Sequence, residues 1–263
     1  MDFPVQRWRD AVKIRHSIRT YNQQPLVGNI KERLLKFIAQ ANTEANGVRA
    51  EFIDDGGSKV IQSIIASYGF IQGVRSYIAF IVDKNDRHCY EKIGYLGEMC
   101  ILEATSLGLA SCWIGGTFKP KLVEDQLSIG FSEKVVAITP VGYSSNKKSI
   151  IEKLMKKIAG SHQRKPLEEL CPDYNQQWPI WIKDAVCLAR LAPSAVNRQP
   201  WRFIVSEDAK EIKITLDKLS DIESKRLDCG IAMLHIEIAA LINNIQGGWN
   251  YLNKPDIAVY VKK

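Results

Sequence analysis

The spacing of apolar positions gives the chain its first outline. From Val5 to Tyr21 the sequence is polar and helix-compatible, with Trp8, Val12 and Ile18 set among basic residues. After Pro25 and Gly28, apolar residues at Ile30, Leu34, Phe37, Ile38 and Ala41 recur at a helical period and predict a second helix. Glu51 to Asp54 reads as a short strand entering the turn DDGGS. SYIAFIVD at 76–83, dense in β-branched and aromatic residues, predicts a central strand. Tyr90 to Leu107 carries a broad apolar face (Ile93, Leu96, Cys100, Ile101, Ala104) and predicts a long helix, with Gly108 placed to close it. Val135 to Val141 reads as a strand interrupted late by Pro140.

A change of composition separates this series from a second one. Seven Lys or Arg and one acidic residue, Glu152, occupy Lys147 to Lys165, and the proline-rich KPLEELCPDYNQQWP that follows reads as an irregular linker. Beyond it come a helix (Ile182 to Leu191), a loop (Ala192 to Pro200), a strand (Trp201 to Ser206), a helix (Asp228 to Asn243) and a terminal strand (Asp256 to Val261). The order repeats the first half. A shift of 151 lays FIAQANTEANGVRAEFI from Phe37 over LARLAPSAVNRQPWRFI from Leu188, and a shift of 134 lays Met99, Glu103 and Leu107 over Met233, Glu237 and Leu241. An internal duplication is expected, with one unit over 1–170 and a shorter one over 171–263. Chance similarity of two amphipathic helices is the competing explanation. Fusing two copies would make a dimer interface intramolecular.

Composition narrows the class. Over 263 residues, 46% hydrophobic and 25% charged is ordinary globular usage, which excludes a disordered chain, a collagen-like fibre and a disulfide scaffold. The net charge of +7 favours anionic partners, whether nucleic acid, an acidic membrane surface or a phosphate-bearing cofactor. No apolar run reaches the length of a membrane helix, and MDFPVQRWRD lacks a basic head with an apolar stretch behind it. None of the six cysteines forms a CxxC pair, so reduced packing cysteines of a cytoplasmic protein are expected, with no metal site. Aromatics do not interleave with the basic run, which argues against nucleic acid.

Three clusters can carry chemistry. Arg15-His16-Ser17-Ile18-Arg19 gathers donors suited to phosphate and carbonyl oxygens, although a solvated basic helix face would have the same composition. Ala192 to Trp201 holds Ser194, Asn197 and Gln199 between two prolines. It can present amides to the edge of a heterocycle, or be an ordinary Asx turn. Cys112-Trp113-Ile114-Gly115-Gly116 follows a helix and lets backbone N–H groups approach a ligand, or simply makes a sharp turn. Arg164 and Lys165 can add to a phosphate pocket or belong to a charged linker. His235 reads as a packed core histidine.

Taken together, RHSIR at 15–19, LGLASCWIGG at 107–116, VGYSSNKKS with QRKPLEEL at 163–170, and APSAVNRQPWRF at 192–203 resemble the FMN-dependent nitroreductase family. The family's PSxxNxQPW segment ordinarily follows RxSxR closely. Here that place holds ANTEANGVRAEF, and the intact version lies in the second half, which in turn lacks RxSxR, WIGG and RKPLEE. This resembles fused nitroreductases in which one chain imitates the usual dimer.

The resemblance implies an α+β, nitroreductase-like pseudo-dimer with antiparallel-dominated sheets and long core helices. It implies one complete FMN site and one decayed site. Arg15, His16, Ser17 and Arg19 would grip the phosphate and the pyrimidine edge, with Arg164 and Lys165 at the phosphate. Pro193, Ser194, Ala195 and Asn197 would meet the isoalloxazine, and Ile114, Gly115 and Gly116 would lie near N5. The activity implied is ping-pong hydride transfer from NAD(P)H to a small-molecule acceptor such as a nitroaromatic or quinone, in a monomer or loose homodimer. The alternatives are a flavin-binding, flavin-modifying or sensory protein without that activity, and a duplication product that has lost its ligand.

Overall fold

A strand as uniformly apolar as SYIAFIVD is stable only where both of its faces are covered. In the computed structural model, which describes residues 3–62, 71–145, 163–217 and 222–263, β2 (Ser76–Asp83) is buried from Ser76 to Val82. It lies between β1 (Val48–Ile53) and β4 (Glu133–Gly142), and β3 (Ala110–Ser111) pairs with β4 at the edge, all antiparallel. Tyr77, Ala79 and Ile81 join Val135, Ile138, Ile114, Phe118 and Val123 in one core cluster. Ile78, Phe80 and Val82 alternate with them and are also fully buried. Each such side chain is worth about 1.5–3 kcal/mol on burial, more than a half-exposed ion pair such as Lys31–Asp54.

The chain divides into two units. The first comprises Ile14–Cys89 and Met99–Gly160, and so holds this sheet with α2 (Gly28–Glu44), α3 (Gly57–Gln62), the C-terminal part of α4 (Cys89–Ser106) and α5 (Pro120–Glu124). Gly108, at φ +79°, lies just past the end of α4 in the left-handed region a C-terminal cap requires.

The second unit takes Asp2–Lys13, Tyr90–Glu98 and Ser161–Lys263. Its sheet runs β5 (Trp201–Val205), β6 (Glu211–Leu216), β8 (Asp256–Lys262), β7 (Gly247–Tyr251), again antiparallel throughout. The strand order therefore matches the first sheet position for position. Phe52 faces Ile78 in one, Phe203 faces Ile214 in the other, and each has a register irregularity in the strand after that pair. The helices are α1 (Val5–Ile14), α6 (Leu167–Leu170), α7 (Ile180–Ala189) and α8 (Glu223–Ile242), with the N-terminal half of α4.

Within this unit α4 and α8 touch backbone to backbone. A Cβ on Gly94 would stand 2.1 Å from the Leu227 carbonyl oxygen, and one on Gly230 would stand 2.0 Å from that of Glu91. Beside this crossing, Arg226 pairs with the buried Glu91. His235 is fully buried, its Nδ1 3.0 Å from the Leu188 carbonyl and its Nε2 3.3 Å from Glu98, as a core histidine should be.

Several expectations change. The first helix stops at Ile14 rather than running to Tyr21, because residues 17–22 are drawn into backbone pairing with distant segments. The KPLEEL segment is not a bare linker: α6 forms there and Leu170 and Cys171 are fully buried. β4 continues through Pro140, which faces Tyr77. The α8 helix starts at Glu223, five residues before the expected Asp228, and so encloses Asp228 in its buried part. Strands β6 and β7 were not anticipated. The basic run over 147–162 lies outside the described residues. All six cysteines are free and only Cys187 is exposed. Burial pushes the Cys100 and Cys171 thiols up to about 12, away from nucleophilic use. No helix among the described residues is long and apolar enough to cross a membrane.

Candidate functional site

The motifs singled out in the sequence assemble as two pairs, one in each unit. In the first unit RHSIR meets the turn after α4. Ser17 bridges Ser111 in parallel, and the Ile18 N–H donates to the Ser111 carbonyl at 3.0 Å. The Gln72 N–H reaches the Arg19 carbonyl at 2.8 Å, the Ser145 N–H that of Thr20 at 2.9 Å, and the Asn22 N–H that of Tyr143 at 3.1 Å. Residues 15–19 thus form no solvated helix face. His16 is exposed, with Nδ1 2.9 Å from the Ile14 carbonyl, whereas Arg15, Ser17 and Arg19 are half-buried. The Arg19 Nε is inaccessible to solvent and has no hydrogen-bond partner among the described residues. A buried guanidinium N–H of this kind carries a desolvation cost that an anionic acceptor would remove.

Alongside, the Cys112 N–H donates to the Thr139 hydroxyl at 3.2 Å, and Ile114 and Ile138 exchange both backbone bonds at 2.9 Å. Ile114 is buried with its N–H committed, and the Trp113 ring stacks on Phe80 at 4.6 Å between centroids. The amides of Gly115 and Gly116 have no partner among the described residues. Gly116 needs its glycine for a φ of +83°, but Gly115 does not: its φ is ordinary and a Cβ there would meet nothing within 4 Å. An exposed glycine that neither the backbone nor the packing demands leaves room for something outside the chain to approach.

In the second unit QRK at 163–165 is fastened to the loop Ala192–Pro200. Arg164 Nη1 donates to Asn197 Oδ1 at 2.7 Å and Nη2 to the Leu191 carbonyl at 3.1 Å. Asn197 Nδ2 donates to the Gln163 carbonyl at 2.8 Å, and Gln199 Oε1 accepts the Lys165 N–H at 2.9 Å. The Lys165 ammonium is 2.7 Å from Glu169. Ser194 Oγ accepts the Gln199 N–H at 2.9 Å, and Ala195 donates its N–H to Asp228 Oδ1 at 3.0 Å. Pro193 is half-buried where α7 gives way to the loop. Three non-glycine residues here have left-handed backbone: Val196 at φ 49°, Asn197 at 55° and Gln199 at 49°. Such backbone gathers at functional sites, where surrounding bonds hold it.

Three supporting residues escaped the sequence reading. Arg190 donates from Nε to the Lys165 carbonyl at 2.7 Å, Arg198 from Nε to that of Ala195 at 3.1 Å, and Asp228 lies buried beneath the loop. Burial pushes the Asp228 carboxyl up to about 7, against the opposing pull of Arg198 and the Ala195 amide. The available signal is an acid at the head of the apolar run CGIAMLHI, and it marks a buried position only because the helix begins five residues earlier, at Glu223.

Comparison with known proteins bears on this arrangement. A family model described as "Putative TM nitroreductase" matches residues 9–240. The fold resembles a crystal structure from Thermotoga maritima described as a putative nitroreductase, at a TM-score of 0.62 and 19% identity, covering 99% of this chain and 96% of that one. A nitroreductase with bound FMN from Bacteroides fragilis aligns at a TM-score of 0.44 and 17% identity, over 57% of this chain and 92% of its own. No curated protein matches by sequence. With a family match over most of its length, on an α+β fold of antiparallel sheets and core helices, the chain belongs to this nitroreductase family.

Proposed function

We propose that the chain is an FMN-dependent NAD(P)H oxidoreductase of nitroreductase type. The observation that carries this reading is the pairing in the first unit, where among the described residues Arg19 keeps a buried Nε without an acceptor, beside a turn whose Gly115 and Gly116 amides have no partner there either. These groups fit a flavin mononucleotide: permanent positive charge for its phosphate or pyrimidine oxygens, and an unobstructed backbone for its ring. Arg15, His16, Ser17 and Arg19 would hold the phosphate and pyrimidine edge, joined by Arg164. Lys165 would contribute less, because Glu169 already pairs with its ammonium. Pro193, Ser194, Ala195 and Asn197 would orient the ring from the loop, and Gly115 and Gly116 would donate from the turn next to Ile114. When bound, FMN would supply hydride transfer at N5 between NAD(P)H and a nitroaromatic, quinone or similar acceptor.

The chain is also read as a fused pseudo-dimer. The shared strand order and the matching Phe52–Ile78 and Phe203–Ile214 pairs support a duplication. Ile78 to Ile214 and Gly94 to Gly230 are both 136 positions apart, a better spacing for the central helices than 134. One FMN per chain follows, because neither unit carries all four motifs. The test is the visible spectrum of protein reconstituted with FMN and desalted, followed by anaerobic NADH or NADPH. Close to one flavin per chain, bleached by a nicotinamide, is expected. Flavin retained but never bleached would favour a binding or sensory protein, and no retained flavin would overturn the reading.

A further inference from the structure

The bonds that place the Ala192–Pro200 loop are mostly local: Ser194 to Gln199 inside the loop, and Asn197 and Gln199 to the neighbouring Gln163–Lys165 strip. Both partners in such bonds can move together, so these bonds shape the loop without fixing it to the core. Asp228 differs. It belongs to α8, is 3% exposed, and sits among Leu227, Cys229, Gly230 and Ile231, themselves buried. Its Oδ1 accepts the Ala195 N–H at 3.0 Å and its Oδ2 stands 3.3 Å from Arg198 Nε, so the carboxylate meets the loop on both sides of Val196 and Asn197. Between those anchors Val196 is held at φ 49°, ψ 26° with its side chain 66% exposed. Left-handed backbone is sterically costly for a β-branched residue. Nothing in the interior benefits from Val196, so the benefit lies in what the loop presents outward.

We propose that Asp228 is a positioning residue: its buried carboxylate straps the Ala195–Arg198 turn to α8 and thereby sets how tightly the loop holds the flavin ring. The inference rests on the FMN reading for its ligand but not for its strap. The other charges around this end of α8 are committed elsewhere, Arg226 to Glu91 and Lys225 to Asp217, with Cys229 adjacent in sequence. Arg198 is the charged group that reaches the carboxyl itself. Since burial raises this carboxyl to about 7, the strap changes its charge between pH 6 and 8.

The strap is tested first without ligand, by amide hydrogen exchange of parent, Asp228→Ala and Asp228→Asn proteins. In Asp228→Ala, residues 195–199 should exchange at least tenfold faster while β2 keeps its protection. Asp228→Asn, which retains an acceptor oxygen, should fall between. Flavin titration follows. Asp228→Ala should bind FMN about tenfold more weakly, and riboflavin by the same factor, because the loss is on the ring side. The parent should bind more tightly at pH 8 than at pH 6, relative to a flatter Asp228→Asn. Unchanged exchange in the loop overturns the strap whatever flavin does. If Asp228→Ala does not fold, Arg198→Ala, altered at the partly exposed partner, must show the same loop exchange or the inference falls. A loosened loop with parental flavin affinity and pH profile overturns the link to the ring. A parent that binds no flavin overturns the functional reading and that link together, and leaves exchange to judge the strap.

Discussion

In the first unit the chain leaves β3 at Ser111 and enters β4 only at Glu133; in the second it leaves β7 at Tyr251 and is back in β8 by Asp256. The strand orders are the same, and the connection from Ile53 to Ser76 is also longer than its counterpart from Val205 to Glu211, but the connection after β3 is the one that holds the glycine turn. The first register sets Cys112 opposite Pro140, which has no N–H to offer the Cys112 carbonyl, and the Cys112 N–H itself donates to the Thr139 hydroxyl. Pairing resumes for one residue, Ile114 with Ile138, and the chain then departs through Gly115 and Gly116 towards α5. In the second sheet Asn250 faces Val259, the ladder runs unbroken to Tyr251, and the Leu252 N–H still reaches the Ile257 carbonyl at 2.9 Å. A tight hairpin spends its amides on itself. An open connection leaves amides to donate elsewhere, and the glycine turn of the first unit is that open connection.

The largest expected effect tests the scaffold within which this contrast arises. Gly94→Ala and Gly230→Ala should each cost about 3 kcal/mol in denaturant unfolding, because either Cβ drives into a carbonyl oxygen. An unchanged midpoint would mean the helices have slack. Next, Arg19→Ala should weaken FMN binding roughly a hundredfold, or about 2.7 kcal/mol, measured by flavin titration. Parental affinity would detach the first unit's arginine from the cofactor. The contrast itself is addressed by a matched pair: Gly115→Val should cost about tenfold in FMN affinity with thermal stability unchanged, whereas Asn253→Ala, in the tight turn, should leave both alone. Equal losses from the two would erase the distinction between the turns.

The smallest effect concerns pH. The Asp228 carboxyl titrates higher folded than unfolded, so its burial adds stability below the unfolded value near 3.8 that disappears as pH rises through about 7. Between pH 6 and 8 the parent should lose about 1 kcal/mol relative to Asp228→Asn, and parallel stability curves would show that the group ionises normally.

Much of the scaffold was legible because it depends on local pattern. SYIAFIVD gave β2 at its observed ends, and the Tyr90–Leu107 periodicity with Gly108 gave α4 and its cap. What was not legible depends on distant partners. Nothing within RHSIR announces that Ile18 will bond Ser111 and so end a helix-compatible stretch at Ile14. β7 is rich in glycine and is a strand only because β8 supplies its ladder. The motifs named the candidate residues, but not that Asn197 would be bound to Arg164 or that Asp228 would lie under the loop. Those are facts of packing, and a linear pattern does not contain them.

The crossing of Gly94 and Gly230 carries a consequence for how such a chain can change over generations. Each glycine occupies the space in front of a carbonyl on the other helix, so neither can be exchanged alone, and exchanging both only doubles the collision. At this crossing, drift has nowhere to go.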